Sequence, residues 1–151
     1  MEPRYWEDFR VGETWVSPGR TVTEGDVTMF AMLSGDWMPL HTDRVAAAQS
    51  AYGERVAHGL LGLAIASGLF VRTEAAAAVQ STGVALLGLE RKFTGPIRFD
   101  DTVHLKVTVT STRETSKPGQ GIIVLTRELI NQDGQVVQVG TTPIMLRRRP
   151  A

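Results

Sequence analysis

Cysteine is missing from all 151 residues, and with it go disulfides, thiolate metal sites and cysteine nucleophiles. Net charge is missing too: 16 Lys and Arg offset 16 Asp and Glu. So balanced a chain has no electrostatic footprint for nucleic acid or an anionic membrane, and neither is expected as a partner. The longest apolar run, Gly59 to Val71, falls short of the ~20 residues that cross a bilayer and is closed by Arg72 and Glu74, so it should be a buried helix. The stretch Met1 to Arg10 is charged throughout and lacks the apolar core of a signal peptide, which makes the cytoplasm the default expectation. No G-x-S-x-G elbow, Walker-type loop, G-x-G-x-x-G fingerprint or H-E-x-x-H pair is present. The 3 histidines, His41, His58 and His104, are widely spaced, so no metal site is expected.

What is there suits one domain over residues 1–151, long enough to bury roughly 70% of the surface of its unfolded chain. Residues 1–22 read as a segment that tucks Tyr5, Trp6 and Phe9 against the surface, then a short strand from Thr14 to Val22 broken at Pro18-Gly19. Thr23 and Asp26 form a capping box for a helix starting at Glu24. Val27, Phe30, Ala31 and Leu33 share its apolar face, and Ser34-Gly35 ends it. Asp43 can cap a short helix through Ala48.

From Gly59 to Thr73 the helix is apolar on every side and kept slim by Gly62, Ala64, Ala66 and Gly68, so it must be covered all round. Ala75 to Ala78 is its end or a connector. The remaining sequence is strand-like: Leu86 to Phe93, Thr102 to Thr110, Ile122 to Ile130 and Gln135 to Leu146, the last two joined by an Asp133-Gly134 hairpin signal. An α+β fold follows, with a curved antiparallel sheet wrapped around the central apolar helix.

Chemistry points to Ser34–Asp43. Pro39 stiffens this bend, which can aim the Asp36 carboxylate and the His41 imidazole at one point, where they could share a water or a substrate proton. On spacing alone the same pair fits a surface turn or a helix cap. Gly59 opens the central helix, whose free N–H groups and dipole favour developing negative charge, although a glycine there also simply permits close packing. His58 reads as a hydrogen-bonded structural histidine, His104 as solvated, and Arg147-Arg148-Arg149 as a soluble tail.

The stretch Phe30-x-x-Leu33-Ser34-Gly35-Asp36-x-x-Pro39-Leu40-His41, followed by Val56-Ala57-His58-Gly59-Leu60, resembles the signature of the MaoC-like, (R)-specific enoyl-CoA hydratase family. The likeness runs from about Thr23 to the C-terminus. It implies a hot-dog fold that hydrates trans-2-enoyl-CoA to (R)-3-hydroxyacyl-CoA, with Asp36 and His41 acting on one water. It implies no metal or redox cofactor, the coenzyme A thioester being substrate. The backbone at Gly59 would polarise the thioester oxygen, and Ser67 would line the pocket. Met38 stands where such hydratases carry Asn, so Trp37 and Met38 are expected to form an apolar pocket wall. Hot-dog relatives build their sites between subunits, which implies a homodimer or a higher homo-oligomer. Two rivals share the fold: a thioesterase using the same Gly59 site, and a non-catalytic acyl-CoA binding subunit.

Overall fold

The computed structural model describes residues 3–150. A 3₁₀ turn, Trp6–Asp8, leads into strands β1 (Thr14–Val16) and β2 (Arg20–Thr21), then helices α1 (Glu24–Ser34), α2 (Pro39–Thr42), α3 (Arg44–Ala47), α4 (Gly59–Phe70) and α5 (Glu74–Gln80). Strands β3 (Gly83–Leu86), β4 (Glu90–Phe93), β5 (Thr102–Glu114), β6 (Gln120–Ile130) and β7 (Val136–Arg147) complete the chain. The sheet is antiparallel in the order β1-β5-β6-β7-β3, with β2 also on β5 and β4 also on β7.

The period-2 pattern of β5 sends Val103, Leu105, Val107 and Val109 inward, where all four are buried, and the sheet curves around α4. Leu61, Ile65, Ala66, Leu69 and Phe70 of α4 fill the same core with Leu125 and Leu129 of β6 and Leu146 of β7. Burial of each such large side chain stabilises by about 1.5–3 kcal/mol, so this one face of α4 anchors the fold. The expected hot-dog architecture is therefore the observed one. The helix is not covered all round, however: Leu60 is 60% exposed, and Ala64 and Ser67 are exposed with it. The chain's own sheet buries only one side.

Four local expectations need correction. Leu86 to Phe93 is two strands, because Leu87 donates to the Pro143 carbonyl at 3.0 Å and Pro143 has no N–H to return, which breaks the ladder. Ala75 to Ala78 belongs to a separate helix, α5, which Thr73 caps by accepting from Ala76 N–H and which bends 74° away from α4. Leu33 is exposed, lying outside the buried stripe of Val27 and Ala31. Finally, the three terminal arginines are not a free tail. Arg147 donates to the Ser81 carbonyl, Arg148 pairs with Glu7 at 2.9 Å, and Arg149 reaches both Asp8 carboxylate oxygens at 2.8 and 2.9 Å.

Those ion pairs clamp the N-terminal segment, whose aromatic rings are tucked in as expected. Phe9 is buried, and the Trp6 indole donates to the Ile122 carbonyl at 3.1 Å over Gly121, where a Cβ would collide with the ring. Among the described residues, no single helix is long and apolar enough to cross a membrane.

Candidate active site

The Thr23–Asp26 capping box starts α1 where the sequence places it. Gly35 ends it in the left-handed region at φ 76°, donating to the Ala31 carbonyl at 2.9 Å, a conformation that glycine adopts without steric cost. The next residue is Asp36. Its Oδ1 accepts from Met38 N–H at 3.3 Å. The expected bend turns out to be one turn of helix, α2, with Pro39 at its start, and that turn carries His41. Thr42 ties it down by donating to the main-chain oxygens of Trp37 and Met38 at 3.2 and 3.1 Å.

Two carbonyls then set the imidazoles. His41 Nδ1 lies 2.7 Å from the Val56 carbonyl, which can only accept, so Nδ1–H donates to it and Nε2 is the nitrogen left for other partners. His58, 2% exposed, donates from Nε2 to the Asp36 carbonyl at 2.9 Å. Its ring lies 3.9 Å from that of His41 and 4.9 Å from that of Phe30. The structural role expected of His58 is thus specific: it holds the main chain of Asp36 and backs the ring of His41. Its Nδ1 is buried without a partner.

A carboxylate oxygen of Asp36 and one ring nitrogen each of His41 and His58 all lie within 4.8 Å of one another. Folding therefore joins histidines that the sequence keeps apart. By type, two imidazoles and a carboxylate suit a divalent transition ion, so metal-free chemistry calls for a direct chelation test.

His41 opens on a cleft of about 350 Å³ lined also by Leu40, Tyr52, Gly59, Leu60 and Gln138. At its floor α4 begins at Gly59 with no side-chain cap from His58, whose ring is engaged by Asp36. The positive end of α4 thus has no side-chain cap, and Gly59 is among the residues that line the cleft. Gly59 also permits close packing, since a Cβ would come within 2.9 Å of the Phe93 ring.

Gln138 is the residue that sequence reasoning missed. Only 1% exposed, it donates from Nε2 to the Gly59 carbonyl at 2.9 Å and accepts from Arg91 Nε at 3.2 Å, which fixes the first turn of α4 against β7. Its signal was a glutamine set between Val137 and Val139 in an apolar strand. A Cβ on Gly62 would strike Gln138 Nε2 and approach Ile97 Cδ1 to 2.6 Å. Gly62→Ala is therefore expected to cost about 1–3 kcal/mol by overpacking, seen as a lowered melting temperature; an unchanged one would show that Gln138 does not lock the helix.

The remaining site candidates lie elsewhere. Trp37 and Met38 are 53% and 58% exposed and, like Asp36, are not among the residues lining the cleft, although Asp36 reaches His41 and His58. Ser67 lines a second groove, which meets the first at Leu60. His104 is partly exposed, on the outer face of β5.

A carboxylate beside an imidazole, at the uncapped start of the helix inside a hot-dog sheet, defines a class of acid-base site. The MaoC like domain model matches residues 8–128, and the chain belongs to that family. It is 30% identical to an (R)-specific enoyl-CoA hydratase of Rhodospirillum rubrum over 96% of this chain and 93% of that protein. It is 37% identical to Protein MaoC of Klebsiella aerogenes over 70% of this chain, spanning only 30% of that protein's length. An Archaeoglobus structure described as a monoamine oxidase regulatory protein superposes with a TM-score of 0.90 at 30% identity, covering 98% of this chain and 97% of that one.

Proposed function

We propose that the protein interconverts trans-2-enoyl-CoA and (R)-3-hydroxyacyl-CoA. The observation that carries this is the meeting of the Asp36 carboxylate with His41, whose Nδ1 is taken by the Val56 carbonyl and which lines the cleft. The pair holds one water. Its oxygen adds to C3 as the pair removes a proton, the double-bond electrons move toward the thioester oxygen, and the N–H groups at the start of α4 stabilise the charge that gathers there. Return of a proton to C2 leaves the enzyme as it began. Likeness to the Rhodospirillum hydratase along nearly the whole chain supports the reading.

The proposal includes a homodimer working in the cytoplasm. Leu60, Leu86, Leu87, Leu89 and Phe93 are large, apolar and exposed on α4 and along the β3–β4 edge, which suits a self-complementary contact.

Crotonyl-CoA tests the activity. Absorbance of the conjugated thioester should fall without release of free thiol, and treatment with a strong chelator should leave the rate unchanged. Thiol release without hydration would make the protein a thioesterase, and loss of rate on chelation would give the Asp36, His41 and His58 cluster to a metal. With neither hydration nor thiol release, the non-catalytic subunit becomes the better reading.

A further inference from the structure

Beneath the second groove lie two arginines with no counter-ion. The groove, about 320 Å³, runs between α4 and the sheet and is walled by Leu60, Leu63, Leu86 and Leu89, with the Ser67 and Thr142 side chains in its lining. Arg91 of β4 and Arg127 of β6 line it too, and among the described residues neither belongs to an ion pair. Arg91 gives Nε to Gln138 and Nη1 to the Arg127 carbonyl at 3.0 Å, which leaves its Nη2 buried and unpartnered. Arg127 stacks on the Phe70 ring, 3.9 Å from its centre, with Nε likewise unpartnered. Thr142, 1% exposed, has an unpartnered Oγ1 in the same groove. Burial lowers the Arg91 pKa, and burial together with the neighbouring cation pushes Arg127 down to about 10. Two adjacent cations drawn from water with donors to spare are costly unless an anion completes them.

We propose that Arg91 and Arg127 bind a carboxylate at the far end of the acyl chain, so that the preferred substrates are dicarboxylyl-CoA thioesters. The inference rests on the acyl-CoA reading above and extends it to substrate class. A guanidinium fork fits a carboxylate in two-point contact, and its weak hydration suits a partly buried site. The leucine walls suit methylenes rather than the phosphates of coenzyme A. Leu60 lines both the cleft that holds His41 and the groove that holds the arginines. Leu60, Leu86 and Leu89 also belong to the proposed dimer face, so a carboxylate from a second copy is the rival anion.

Calorimetric binding of saturated thioesters separates these cases without turnover. Succinyl-, glutaryl- and adipyl-CoA are each compared with the methyl-terminated butyryl-, valeryl- and hexanoyl-CoA. At one length or more the dicarboxylyl ligand should bind at least about tenfold tighter, and Arg127→Leu should bring that ratio to about one. Thr142→Val, nearly isosteric, should reduce the ratio severalfold and decides the matter if Arg127→Leu does not fold. The proposal is overturned by a wild-type ratio near one at all three lengths, or by variants that keep the ratio. An equal loss of affinity for free coenzyme A would assign the arginines to phosphate. Weakened self-association with an unchanged ratio would assign them to the second copy. A positive ratio without hydration of crotonyl-CoA or of the 2-enoyl dicarboxylyl-CoA of the preferred length would sink the hydratase reading alone.

Discussion

Asp36→Asn and His41→Ala are each expected to slow hydration of crotonyl-CoA by at least about a hundredfold, because general acid-base catalysis by a positioned group contributes about 10²- to 10⁴-fold. Asparagine keeps an oxygen for the Met38 N–H and removes the charge, so the first variant should melt close to wild type. Loss of the imidazole also removes the 2.7 Å bond to Val56 and the ring against His58, so the second should melt lower while staying folded. The double variant should be little slower than the worse single one, as for two groups acting on the same proton. Near-normal rates in both single variants would remove this pair from the chemistry.

Light scattering at micromolar concentration is expected to give a dimeric mass, and Leu87→Asp to give a monomer. The free edge of the sheet runs along β3, and Val84, Leu86 and Leu87 are exposed there, an arrangement that invites pairing with a second copy. An unpaired carboxylate buried in such a contact costs roughly 2–5 kcal/mol, about thirtyfold or more in the dissociation constant. Leu87 lies outside both grooves, so the effect on self-association can be read apart from ligand binding. A monomeric wild type would discard the dimer, and a dimeric variant would discard this face.

The elements with their own periodicity or punctuation were legible before folding. Alternation in β5, the Thr23 capping box and the Gly35 stop all appear where the sequence puts them, since each depends on neighbours a few residues away. Leu86 to Phe93 misled because the missing donor that splits it belongs to Pro143, on another strand. In the site, Asp36 and His41 are close in sequence and meet in space. The supports of the site were not legible: His58 reaches the Asp36 carbonyl, and Gln138 the Gly59 carbonyl, across distant segments. The unpaired state of Arg91 and Arg127 was equally hidden, because the sequence holds as many acids as bases and does not say which of them pair.

The loop carrying the acid-base pair is held chiefly through its main chain. The carbonyl oxygen of Asp36 accepts from the His58 ring and those of residues 37 and 38 from the Thr42 hydroxyl within the same stretch, while the indole of Trp37 and the thioether of Met38 stand exposed. Evolution can therefore rewrite positions 37 and 38 without moving Asp36 or His41. A library randomised at these two codons should be rich in folded members that keep Asp36 and His41 in place, which frees this loop to vary while the site behind it stays fixed.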